Sequence, residues 1–208
     1  KLLSDRYSNK NFRLHIYLGV YYIKDVNETI RQMVDKVSLV IMKSKGNMSN
    51  YILYYDENSY RNDIFKQQLI GEFETALNEN QFCMYLQPQT DKDGNMLGAE
   101  ALIRWNHPNM GLIMPGAFIE CFEDAGLIYR LDNYIWEEAA KQLKTWKDSG
   151  YNYYISVNIS AKDFYHIDVY QTFKNLVSEY GIDTDKLHIE ITETALSEDK
   201  QEAHKTIE

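Results

Sequence analysis

Two cysteines, Cys83 and Cys121, are all the thiol that this 208-residue chain carries. Both sit among apolar neighbours at a spacing that matches no zinc motif. This excludes a disulfide framework and a thiolate metal centre and leaves buried free thiols. Positive charge is also short, with 22 Lys and Arg against 31 Asp and Glu and a formal net charge of -9. No Lys/Arg cluster relieves it, so binding to DNA or RNA at large is excluded. A small anionic ligand stays open if cations or a few basic groups compensate locally. The chain has no run of eighteen apolar residues and no signal-peptide pattern. The expectation is therefore a cytoplasmic location for this portion, with a membrane anchor upstream of it left open.

What is present is core material. Hydrophobic residues make up 44% of the chain, enough for one large domain or parts of two. The seventeen tyrosines are scattered, which fits half-buried packing with hydroxyls at water rather than an aromatic cage. Phe12 to Ile23 reads as a strand. Asp25 and Asn27 supply a turn or N-cap with Glu28 inside the helix start, and Ile30, Met33, Val34, Val37, Val40 and Ile41 form a helical apolar stripe. Gly46-Asn47 ends that helix, and Tyr51 to Tyr55 is a second strand, giving a small α/β subdomain. Asp56 to Asp63 has no apolar pair and reads as the boundary. A helix then runs from Ile64 to Leu77 with Phe65, Leu69, Phe73 and Leu77 at every fourth position.

The stretch Gln81 to Trp105 predicts a strand, a turn at Asp93-Gly94, and a second strand. In that second strand Glu100, Leu102 and Arg104 share one face, while Ala99, Ala101 and Ile103 take the other. Charges there point either to a functional carboxylate or to a structural ion pair, because an unpaired charge in an apolar setting costs several kcal/mol, roughly. Pro108 to Pro115 reads as a loop, and Pro115 suits a helix start that Gly126 ends. Leu131, Ile135, Ala139, Leu143 and Trp146 line the next helix. Tyr153 to Ile159 is a strand, Val169 to Tyr180 a helix, Leu187 to Ile191 a strand, and Ser197 caps a last helix. This alternation predicts an α/β fold with parallel strands, and a doubly wound sheet fits it as well as a barrel does.

YLQPQ, followed by GAEALIRWNHP, MPGAFIECFEDAGLI, SVNIS and HIEITET in that order, strongly resembles the EAL domain, the cyclic diguanylate phosphodiesterase family. The resemblance implies an incomplete modified TIM (β/α) barrel over 81–208, the N-terminal half of an EAL domain, with 58–80 as linker and first helix. Residues 1–57 resemble the C-terminal part of a GGDEF (diguanylate cyclase-like) domain, through HIYLGVYYI and YILYYDE. Val34-Asp35 stands where that family has Ala-Asp, and Leu39-Val40-Ile41 where it has Ala-Leu-Tyr, so a degenerate, regulatory domain is expected. A (β/α) barrel needs about 250 residues, so an open half-barrel with an unpaired edge and poor solubility alone is expected.

The resemblance also assigns roles. Glu100, Asn158 and Glu190 are metal ligands and, with Glu193, the catalytic set, Glu193 steadying a loop. Gln87, Leu102 and Arg104 bind substrate, Arg104 by a fork that suits phosphate. The ligands are hard oxygens, suited to Mg2+ or Mn2+. Without the resemblance, Asn158 reads as a strand-end cap and Glu190 as a solvent-facing acid. His107 and His188 have no nucleophile to serve, the tryptophans pack, and Asp163, Asp183 and Asp185 are turn caps. The implied activity is metal-dependent hydrolysis of cyclic di-GMP to linear pGpG by the full-length parent, through a two-metal site that activates water. The alternative is a regulatory module that binds cyclic di-GMP without cleaving it. The 208-residue piece alone is expected to be inactive, because further family ligands lie outside it. Implied partners are cyclic di-GMP, an upstream GGDEF-like or sensory region, and a second copy through the EAL domain.

Overall fold

The computed structural model describes residues 16–43 and 52–191, which fall into two compact units divided between Phe65 and Lys66. In the first, β1 (Leu18–Val20) pairs in parallel with β2 (Ile52–Tyr54), and α1 (Ile30–Lys43) packs on them. Gly19 is required where α1 crosses the strand, since a Cβ there would lie 2.6 Å from Val37 Cγ1. Asp25 and Asn27 form the expected turn, Asn27 N donating to Asp25 Oδ1 at 2.9 Å, but the helix starts after Glu28 and not before it. Thr29 and Gln32 form a reciprocal capping box, with Thr29 N donating to Gln32 Oε1 at 2.8 Å. Glu28 lies before the helix and pairs with Lys36 at 2.5 Å. Phe12 to His15, Gly46-Asn47, Glu193 and Ser197 lie outside the described residues.

The polar stretch Asp56 to Asp63, expected to precede a helix from Ile64, is itself helical from Glu57. Helix α2 (Glu57–Asn78) starts ahead of Ile64 because the Asp56 carboxylate accepts from Ser59 N at 2.8 Å and caps it. In the second unit Leu69, Phe73 and Ala76 of α2 are buried. Phe73 joins Phe82, Trp105, Phe118 and Phe122 in an aromatic cluster with centroids 4.9–6.2 Å apart. Each buried aromatic contributes about 1.5–3 kcal/mol by transfer, and truncating Phe122 to alanine would cost roughly 3–5 kcal/mol.

The sheet of the second unit runs in the order β3 (Phe82–Thr90), β4 (Met96–His107), β6 (Tyr154–Ile159), β7 (Leu187–Ile191). The β3–β4 pair is an antiparallel hairpin, and the β4–β6 and β6–β7 pairs are parallel. The hairpin turns at Asp93-Gly94 as expected, Gly94 taking φ +84°, and the Asp91 carboxylate closes the turn by accepting from Asp93 N and Asn95 N. Within the expected Pro108–Pro115 loop lies a short strand, β5 (Gly111–Ile113), paired antiparallel with the end of β4. Buried His107 shapes that turn, its Nδ1 accepting from Asn109 N and Met110 N while Nε2 meets Glu72. After β5 come α3 (Ile119–Asp124) and α4 (Ile128–Asp148), then, beyond β6, α5 (Asp163–His166) and α6 (Val169–Tyr180). Helices α4 and α6 cover one face of the sheet, burying Trp136, Ala139, Leu143, Phe173 and Leu176 against Ala101, Ile155, Val157 and Ile159. The other face holds the even-numbered residues of β4 and β6.

Candidate functional site

The period of two in β4 puts Glu100, Leu102 and Arg104 half-buried on the face away from the helices, with Ala99, Ala101 and Trp105 buried opposite. Register does the rest. Glu100 stands between Gln87 on β3 and Ser156 on β6, and Asn158 on β6 pairs with Glu190 on β7. Asn158 Nδ2 donates to Glu100 Oε1 at 3.0 Å, so residues far apart in sequence meet directly. Glu190 shares that face beside Asn158 and is half-buried.

Arg104 lies on the same face. Its guanidinium donates to Ile103 O at 2.7 Å and sits 5.6 Å from the Tyr85 ring centroid, so it is held by an aromatic face and not by a carboxylate. The structural ion pair left open by the sequence is therefore absent at Arg104 among the described residues. Gln87 is exposed on β3, opposite Glu100. His188, also on this face, stacks on Tyr154 at 4.2 Å and meets Asp185 O at 3.0 Å. Trp136 Nε1 donates to Asn158 O at 3.1 Å, pinning the strand from the helix side.

The donor set suits a hard divalent cation. Two carboxylates and an amide share one face of the sheet, Glu100 mid-way along β4 and Asn158 and Glu190 near the ends of β6 and β7, and the buried Ser156 hydroxyl opposite Glu100 has no hydrogen-bond partner among the described residues. Such an orphaned hydroxyl fits a site that also holds water or a hydrated ion. No cluster of three or more His, Cys, Asp or Glu placed to ligate a metal occurs among the described residues.

A cavity of about 450 Å³ adjoins this face, walled by Ala101, Leu102, Ile119, Ile128, Asn158 and Asp132. Glu123 and Ser160 also line it, and Asp132 at its wall meets the buried Asp163 behind. Burial pushes the Asp132 carboxyl well up, with Asp163 beside it adding to the effect. Burial likewise raises Asp163, to about 6, although Asp132 and Ser160 N partly oppose this by hydrogen bonding. Asp163 caps the turn after β6 as expected, its Oδ2 accepting from Ser160 N at 2.9 Å, and it does so fully buried. Ser160 Oγ donates to Glu123 Oε1 at 2.6 Å. Of this pair, Asp163 was read from sequence only as a turn cap, and Asp132 was not singled out. The available signal was Asp132 itself, an acid within the apolar stripe of Ile128, Leu131, Ile135 and Trp136.

The chain belongs to the EAL domain family, whose model matches residues 70–208. Among its relatives, the bifunctional diguanylate cyclase/cyclic di-GMP phosphodiesterase MucR of Pseudomonas aeruginosa is 28% identical over 92% of this chain and 28% of its own length. The cyclic di-GMP phosphodiesterase PdeR of Escherichia coli is 32% identical over 64% of this chain and 20% of its own. This chain thus spans well under half of those relatives. Among solved structures, the PaMucR phosphodiesterase in complex with c-di-GMP superposes with a TM-score of 0.61 at 34% identity, covering 64% of this chain and 55% of that one. The Xanthomonas citri FimX EAL domain shares the fold, with a TM-score of 0.60 at 18% identity over 71% of this chain and 58% of that one. The fold is accordingly the α/β, barrel-like fold of EAL domains. No described helix is long and apolar enough to cross a membrane.

Proposed function

We propose that the protein carrying this chain hydrolyses cyclic di-GMP to linear pGpG with Mg2+ or Mn2+. The observation that carries the reading is the junction of Glu100, Asn158 and Glu190 on three neighbouring strands, with Arg104 on the same face. Glu100, Asn158 and Glu190 would hold the cation, which when bound would supply an acidified water and charge stabilisation at phosphorus. Arg104, with Gln87 beside Glu100, engages phosphate oxygens by its fork. The adjoining cavity, within the 300–1,000 Å³ of ordinary ligand sites, is sized for one purine. Leu102 would contact the ring, and Asp132, with its proton shared with Asp163, would accept from one guanine N–H through its free oxygen. Glu193 we keep as a loop-steadying acid.

Residues 1–57 we read as the end of a GGDEF-like domain, 58–80 as linker and first helix, and 81–208 as EAL domain. The MucR relative, matched over 92% of this chain and named for both activities, supports this order. We assign turnover to the full gene product and expect none from the 208-residue chain alone. The test is cleavage of cyclic di-GMP by the full gene product with saturating Mn2+, followed by chromatography. Glu100→Ala should abolish pGpG formation, and an undiminished rate would refute the assignment. Tight binding of cyclic di-GMP without any cleavage by the wild type would favour a sensor module instead.

A further inference from the structure

Asn158 must present its amide at one place, yet its side chain is exposed and, among the described residues, its one side-chain hydrogen bond is to Glu100. Its position therefore depends on the backbone around it. Trp136 of α4 grips Asn158 O. Two residues on, where β6 ends, Ser160 is gripped twice more. Its N–H donates to Asp163 of α5 at 2.9 Å, and its hydroxyl donates to Glu123 of α3 at 2.6 Å while accepting from Lys162 N at 3.3 Å. Of these partners only Glu123 reaches Ser160 from the segment between β5 and α4, across 37 positions of sequence.

We propose that Glu123 is a positioning residue for the reaction, acting through the Ser160 hydroxyl to set where Asn158 stands beside Glu100 and Glu190. This rests on the reading of the site given above. The strand end is short and followed at once by a turn, so releasing Ser160 lets the last residues of β6 swing. A shift of about 1 Å at such a site can cost roughly a hundredfold in rate, and outer partners of metal ligands are typically worth about 10–100-fold in affinity or activity. The role needs an acceptor at 123 rather than a charge, because the serine hydroxyl is the donor. Glutamine meets that need with its amide oxygen.

The test uses Glu123→Ala, Glu123→Gln, Ser160→Ala and the Glu123→Ala/Ser160→Ala pair in the full gene product, each first checked for a native thermal transition. Mn2+ binding without substrate is read from the free-ion electron paramagnetic resonance signal, and kcat and KM for cyclic di-GMP are measured in parallel. Glu123→Ala and Ser160→Ala should each weaken Mn2+ binding and lower kcat by roughly 10–100-fold with KM little changed. Glu123→Gln should recover most of both, and the double variant should be no worse than either single one. A raised KM with intact kcat and Mn2+ affinity would show that Glu123 touches the ligand in the cavity, and overturns the proposal. Equal loss in Glu123→Gln and Glu123→Ala, or additive losses in the pair, overturns it too. Wild type that cleaves cyclic di-GMP while Glu123→Ala matches it would overturn the positioning role alone. Wild type that neither binds Mn2+ nor cleaves would take the reading of the site down with it.

Discussion

Replacing Asp163 by asparagine should remove a loss of stability that the wild type suffers as pH rises. Asp163 is fully buried and its carboxyl is pushed up to about 6, by burial first, while the neighbouring Asp132 is also raised. Glu123 and His166 also face this pair, Glu123 raising and His166 lowering Asp163. Both aspartates therefore hold a proton more tightly folded than unfolded. Below 3.8, the ordinary value, both states are protonated and the contribution is intact. As pH rises through about 6, the unfolded chain has already released its proton and the folded one has not, so stability falls. The interval between 3.8 and about 6, at about 1.4 kcal/mol per pH unit, amounts to about 3 kcal/mol. An amide at 163 still offers an oxygen to Ser160 N and has no proton to lose, so this contribution vanishes in the variant. Urea unfolding of the full gene product in chelator, from about pH 4 to about pH 7, reads the difference between variant and wild type. That difference cancels the carboxylates held low by partners, such as Glu72 and Glu74, whose contribution runs the other way. It should grow in the variant's favour by up to about 3 kcal/mol, or roughly 6–12 °C in Tm. Parallel curves for the two proteins would refute the carboxyl pair as a source of pH dependence.

Arg104→Lys keeps the charge and loses the fork, so cyclic di-GMP affinity should fall roughly tenfold or more in calorimetry while Mn2+ affinity holds. Equal affinities for both proteins would defeat the phosphate role. Gly98→Ala should cost about 1–3 kcal/mol, because its Cβ would lie 2.5 Å from Tyr154 O and 2.6 Å from the Tyr154 ring. Unchanged urea midpoints would contradict that packing. Trp136→Phe removes the donor to Asn158 O and should cost about 1–3 kcal/mol in stability. No change on unfolding would show that water replaces the indole N–H.

The hairpin and its faces were legible in the sequence because alternation in a strand is a local property. Glu100, Leu102 and Arg104 fall on one side whatever β4 packs against. The helical stripes of α4 and α6 were legible for the same reason, and the ends marked by Gly126, Gly150 and Gly181 follow from backbone conformations with φ between +60° and +80°. Local chemistry failed where competing caps were available. Asp56 extended α2 across a stretch read as a boundary, and Thr29 with Gln32 displaced Glu28 from the start of α1.

Register and burial were decided only by the tertiary structure. Nothing local tells β6 to align Asn158 with Glu190, or to carry its amide 3.0 Å from Glu100, since strand pairing depends on which faces are covered. Nor does the code distinguish an acid at a helix surface from one that the fold encloses. Asp132 and Asp163 lie on separate helices, and packing at the end of β6 takes Asp163 fully from water and leaves Asp132 half-buried at the cavity wall. Their raised proton affinity is a property of that enclosure, as is the cavity beside them, whose walls come from four elements separated along the chain.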